Sequence, residues 1–143
     1  FFKGYIGIMI HADNYSLFDL NILLNAHKNR KKNTILTMLT FNTLNPSSCG
    51  IVEKDKSNVL VSFHEKVYNP PTNCANAAIY VFEDEFLEWL KFNKPNASDF
   101  SNEVLPYLNG LAQTCHTELP YYDIGTIDSL NEARKYLENK NDK

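Results

Sequence analysis

A chain of 143 residues, 43% hydrophobic and 22% charged, has enough apolar content to bury one core, which suggests one domain or a piece of a larger one. Its net charge of -3 shows no basic excess, which argues against nucleic acid or an anionic membrane face as partner. Cys49, Cys74 and Cys115 are odd in number and lack CxxC spacing, which argues against a disulfide framework and a structural zinc site. No signal peptide and no bilayer-length apolar run is present, so the cytoplasm is the default compartment. Asn14-Tyr15-Ser16 and Asn96-Ala97-Ser98 match the glycosylation pattern and are read as chance. The chain opens Phe1-Phe2 with no initiator Met, and we expect its natural start to lie upstream.

Residues 5–12 form an apolar run that stops at a polar tip, His11-Ala12-Asp13-Asn14. Such a run predicts a fully buried strand of a parallel sheet. Ser16 to Asp19 resembles a capping box, and Leu20, Leu23, Leu24 and His27 then follow at helical spacing. Lys28, Arg30, Lys31 and Lys32 sit where that helix should end, where cations favour the dipole. Residues 34–40 are β-branched and apolar, so they predict a second strand. A polar loop over 42–50 precedes a hairpin, with strands at 50–53 and 59–63 around the turn 55–58. His64-Glu65-Lys66 closes its second strand.

Residues 73–82 predict another strand, whose small residues admit close approach of a ligand or a neighbouring backbone. A helix over 83–92 turns Phe86 and Leu90 to the core. Residues 99–106 start a short helix with Ser101 as cap, and Gly110 ends that region. A weak strand covers 114–119. Residues 121–126 lead into a last helix, with Thr126 as N-cap, Asp128 in the first turn and a stripe of Ile127, Leu130, Ala133 (or Arg134) and Leu137. Alternating strands and helices with one hairpin argue an α/β layered fold.

Two places carry chemistry-bearing residues. Asp13 lies beyond the carboxyl end of the first strand, where open α/β sheets bind ligands; the alternative is that it caps a turn with Asn14. Lys66 beside Glu65 can hold a phosphate oxygen as a point charge; the alternative is a surface ion pair worth at most about 1 kcal/mol.

Taken together, HADN (11–14), SSCGIVE (47–53), FHEKV (63–67), NCANAAIYVF (73–82), DFSNEVLP (99–106) and the closing YYDIGT (121–126) resemble the sugar-phosphate nucleotidyltransferases, or NDP-sugar pyrophosphorylases. The wording is most similar to the mannose-1-phosphate guanylyltransferase branch. The resemblance implies a Rossmann-like α/β domain of the glycosyltransferase-A type, with a mixed, mostly parallel sheet and helices on both faces, incomplete at the N-terminus. It implies transfer of a nucleotidyl group from an NTP (GTP in that branch) to a sugar 1-phosphate (mannose 1-phosphate), with release of pyrophosphate. Asp13 and Asp123 match the family's Mg2+ ligands. Glu65 and Lys66 match the pair that grips the sugar and its phosphate. Gly50 matches the glycine facing the sugar, and Asn76 lies where sugar hydroxyls are contacted.

Two departures accompany the match. Val67 stands where the family often has Pro, and the glycine-rich GxGTRLxPLT signature that grips the triphosphate is absent. The resemblance therefore implies that residues 1–143 are the sugar-phosphate- and metal-binding portion, with the nucleotide-binding half upstream and little turnover alone. A non-catalytic regulatory or scaffold relative that binds nucleotide sugars is the main alternative. A glycosyltransferase would carry Asp-x-Asp, and His11-Ala12-Asp13-Asn14 has no second Asp in register. An apolar first segment without partner strands would favour self-association, so a homo-oligomer stays open.

Overall fold

The structure, a computed structural model, describes residues 3–141, with side chains to 139; the Phe1-Phe2 opening lies outside them. Among the described residues eight strands and four α-helices follow in the order β1 (Gly7–Ile10), β2 (Asn14–Ser16), α1 (Leu20–Lys28), β3 (Leu36–Asn42), β4 (Gly50–Lys54), β5 (Leu60–Glu65), β6 (Cys74–Phe82), α2 (Asp84–Asn93), α3 (Phe100–Glu103), β7 (Ala112–Thr117), β8 (Tyr121–Asp123) and α4 (Ile127–Asn141). Six strands make the main sheet in the order β5-β4-β6-β3-β7, with β1 added on β6, while β2 and β8 form a separate two-stranded ribbon. Among the described residues no helix is long and apolar enough to cross a membrane.

The α/β class stands, but the sheet is mostly antiparallel; among the described residues only β3 and β7 pair in parallel. The apolar runs lost their polar alternation because both faces of the sheet are covered, and that does not require parallel strands. On β6, Ala78, Tyr80 and Phe82 enter one core with α2 and α3, while Ala77, Ile79 and Val81 enter a second core with Leu23 of α1. The β4–β5 connection is a tight turn, which permits only antiparallel pairing. The parallel pair β3–β7 is joined by a long connection through β4, β5, β6, α2 and α3, ample for the crossover it needs.

The first strand also departs from its expected burial. β1 is shorter than 5–12, and Ile8 and Ile10 are 41% and 47% exposed. Among the described residues β1 pairs with β6 alone, so it lies at an edge where one apolar face stays uncovered. Gly7 is required there: a Cβ would lie 2.5 Å from the Phe82 ring opposite it.

The caps sit one signal away from those expected. Asp19, not Ser16, caps α1, accepting from Asn21 N at 2.9 Å, while Ser16 Oγ accepts from Phe18 N. Asp99, not Ser101, caps α3 through Asn102 N, and Glu103 returns the bond by accepting from Ser98 N and Asp99 N. In both cases the acidic residue immediately before the first turn wins over the hydroxyl nearby, since a charged acceptor makes the stronger bond. Arg30 closes the end of α1, donating to the His27 carbonyl. Thr126 caps α4 as expected, accepting from Ser129 N at 3.2 Å. Of the α4 stripe, Ala133 is buried, Leu130 and Leu137 are half-buried, and Ile127 is 78% exposed.

Candidate active site

The central strand β6 changes partner halfway along one edge. β3 runs beside it throughout, β1 pairs with its last four residues, and β4 meets it only at Ala75. Residues 76–78 fall in the gap between β1 and β4. Their polar groups are met by other means: His11 N donates to the Ala78 carbonyl, Asn14 Nδ2 and the Tyr121 hydroxyl donate to the Ala77 carbonyl, and Ala78 N donates to Asn76 Oδ1 at 3.0 Å. Ala78 takes a left-handed φ of 49°, and the β3–β6 register slips here. A change of strand partner in a sheet opens a crevice of the kind in which α/β proteins bind ligands.

One wall of the crevice is acidic. The ribbon pairs Asn14 with Asp123, and Ile124 N donates to the Asp13 carbonyl at 2.7 Å. This brings together two carboxylates that are remote in the chain. A Cβ at Gly125 would lie 3.0 Å from Asp123 Oδ1 and 3.4 Å from Asp13 Oδ2, so both acids face one point in space. Both are exposed.

The opposite wall comes from the β4–β5 hairpin. Lys66 follows β5 with a left-handed φ of 48°, held by its N–H donating to the Cys49 carbonyl at 3.2 Å. Its Nζ lies 3.8 Å from Glu65 Oε1, with the Lys66 side chain 67% exposed and that of Glu65 19%. Burial pushes the Glu65 carboxyl above its ordinary range, Lys66 pulls it back and Asp99 pushes it further up. Gly50 pairs with Glu65, and a Cβ there would lie 2.5 Å from Phe63 Cζ and 2.7 Å from Glu65 Oε2. Close packing therefore requires this glycine. Asn76 donates through Nδ2 to the Tyr80 hydroxyl at 2.7 Å while its Oδ1 serves Ala78 N, which leaves one amide proton and one lone pair unspent.

Asp13, Gly50, Glu65, Lys66, Asn76 and Asp123 line one cavity of about 300 Å³. Other residues also line its wall, among them His11, Asn14, Ser101 and Tyr121, to none of which sequence reasoning gave a part in the site. Three of them lie inside quoted motifs beside a residue that was singled out, and Ser101 was read as a cap. Adjacency to a chemical residue was the one signal available for them.

Two carboxylates facing open volume suit Mg2+, which keeps several waters and takes one or two carboxylates plus substrate phosphates. Among the described residues no group of three or more His, Cys, Asp or Glu is placed to hold a metal ion, so an ion here would take two carboxylates from the protein and the rest of its ligands from phosphates and water.

The family model described as Nucleotidyl transferase matches residues 2–140. A solved structure from Bacillus anthracis, described as a glucose-1-phosphate thymidylyltransferase in complex with a sucrose, is similar over 92% of this chain and 54% of that one, at 21% identity and a TM-score of 0.77. The chain thus spans about half the length of that protein, and the likeness is one of fold.

Proposed function

The chain belongs to the nucleotidyl transferase family, and from that premise we propose that it forms the sugar-phosphate- and metal-binding portion of a sugar-1-phosphate nucleotidyltransferase. The observation that carries this reading is the convergence of Asp13 and Asp123 on one side of a cavity and Glu65 and Lys66 on another. The motif wording favours GTP and mannose 1-phosphate as substrates. The glycine-rich loop that would grip the triphosphate is not among these residues, and in this reading a separate nucleotide-binding half supplies it.

The reaction joins two polyanions, so the work is neutralisation and alignment. A phosphate oxygen of the sugar 1-phosphate attacks the α-phosphorus of the NTP, a new O–P bond forms, and the bond to the β-phosphate oxygen breaks to release pyrophosphate. The nucleophile is already ionised at neutral pH, so no general base is required. Asp13 and Asp123 would hold Mg2+, which when bound offsets phosphate charge. Lys66 neutralises the sugar phosphate as a point charge on a flexible stem. Glu65 accepts from sugar hydroxyls, and its burial keeps it fixed. Gly50 offers backbone where a side chain would fill the floor, and Asn76 spends its remaining amide proton on a hydroxyl oxygen.

Pyrophosphate release with GTP and mannose 1-phosphate, alongside dTTP and glucose 1-phosphate, tests the activity and the substrate choice together, in the full reading frame and in these 143 residues. Turnover only in the longer form supports the division of labour. Robust turnover by the 143 residues overturns it, and no turnover in either favours a non-catalytic binder of nucleotide sugars.

A further inference from the structure

The metal reading gives Asp13 and Asp123 a role but not a reason to stay together. β2 and β8 have three residues each, and an isolated ribbon of that size is not stable in water. Two side-chain bonds tie this ribbon to the main sheet, and they share one acceptor. The Ala77 carbonyl takes Asn14 Nδ2 at 3.0 Å and the Tyr121 hydroxyl at 2.7 Å. Asn14 follows Asp13 directly, and Tyr121 precedes Asp123 by two residues on β8. Side chains two apart on a strand share a face, and both Tyr121 and Asp123 line the cavity. The Tyr121 ring packs on Phe41 with centroids 4.1 Å apart, so the hydroxyl sits on a fixed ring. Tyr15 and Tyr122 pair with each other one step along the same ribbon, with rings 6.4 Å apart, on its opposite face.

We propose that Tyr121 is a positioning residue for the metal site: its hydroxyl bond to the Ala77 carbonyl, an acceptor shared with Asn14, sets the spacing of Asp13 and Asp123. The inference rests on the metal reading above and adds the element that holds the two ligands at one spacing. Ala77 belongs to the strand that carries Asn76, so the same bond fixes the acidic wall against the sugar side of the cavity.

The test is Mn2+ titration of the protein followed by electron paramagnetic resonance, well below the unfolding temperature, with thermal unfolding measured in parallel. Tyr121→Phe keeps the ring and removes the donor; it is expected to weaken Mn2+ binding about three- to tenfold. Asn14→Ala, which removes the other bond to the same oxygen, is expected to weaken it by a similar factor and decides the matter if Tyr121→Phe does not fold. Tyr15→Phe, on the far face, should bind Mn2+ like the wild type. If the folded variants at Tyr121 and Asn14 lose thermal stability yet bind Mn2+ as tightly as the wild type, the bonds are structural only and the proposal is overturned. Asp123→Asn separates the levels: if it too leaves Mn2+ binding unchanged, the metal reading itself fails and the inference falls with it.

Discussion

The two walls of the cavity are built in opposite ways. The Glu65–Lys66 wall grows from a hairpin whose strands are neighbours in sequence, with a ladder that runs from Gly50 opposite Glu65 to Glu53 opposite Ser62 and, after a register shift, reaches Lys54 opposite Leu60. The Asp13–Asp123 wall is a three-pair ribbon between segments remote in the chain, tied to the main sheet by two side-chain bonds to one carbonyl and by the packing of Tyr121 on Phe41. Closing a long loop costs entropy that only a few contacts offset here. In the proposed reading the hairpin wall is a structural element that also binds, while the ribbon wall serves mainly to hold the site. Damage to the first should register in stability, and damage to the second in function.

The largest effect should come from the ribbon. Asp123→Asn keeps the shape and removes a charge from an exposed position, so stability should move by less than about 0.5 kcal/mol. Metal-dependent kcat/KM in the full-length protein should fall on the order of a hundred- to a thousandfold. Unchanged kinetics would make Asp123 structural and erase the contrast between the walls. At Lys66 the two readouts should separate within one residue. Lys66→Gly relieves a left-handed φ but adds chain entropy, so unfolding free energy should stay within about 1 kcal/mol of wild type. The KM for the sugar phosphate should rise roughly tenfold through the lost charge–phosphate contact.

Gly50→Ala should show the reverse pattern. A methyl group 2.5 Å from Phe63 Cζ forces the hairpin apart, which should cost about 1–3 kcal/mol in urea unfolding. Full stability in that variant would mean that the hairpin wall is not tightly packed.

The smallest effect concerns α1, which packs on the main sheet through Leu23. His27 is fully buried, hydrogen-bonded through Nδ1 to Thr37 Oγ1 at 2.9 Å, and burial first, then Arg30, lower its pKa from 6.5 to about 4, against an opposing pull from Glu83. The unfolded imidazole takes up a proton near pH 6.5, while the folded one stays neutral until about pH 4. Its contribution to stability is thus present above pH 6.5 and is lost as pH falls through that window. Tm should drop by roughly 5 °C from pH 7 to pH 5, and His27→Gln should flatten that slope. An equal slope in the variant would assign the pH dependence elsewhere.

Much of this molecule follows from local rules. The hairpin around residues 55–58, the α1 stripe ending in Leu23 and His27, the Thr126 cap and the left-handed Gly110 each arise from interactions within a few residues, which a sequence displays directly. The motifs also placed six residues that line one cavity. The tertiary structure alone decided the antiparallel run of the sheet, the exposure of Ile8 and Ile10 on β1, and the ribbon that joins Asn14 to Asp123. Strand direction leaves no trace in side-chain periodicity, because covered strands look alike in either sense. A three-residue strand is too short to have a period, and its partner is selected by backbone hydrogen bonds across a hundred intervening residues.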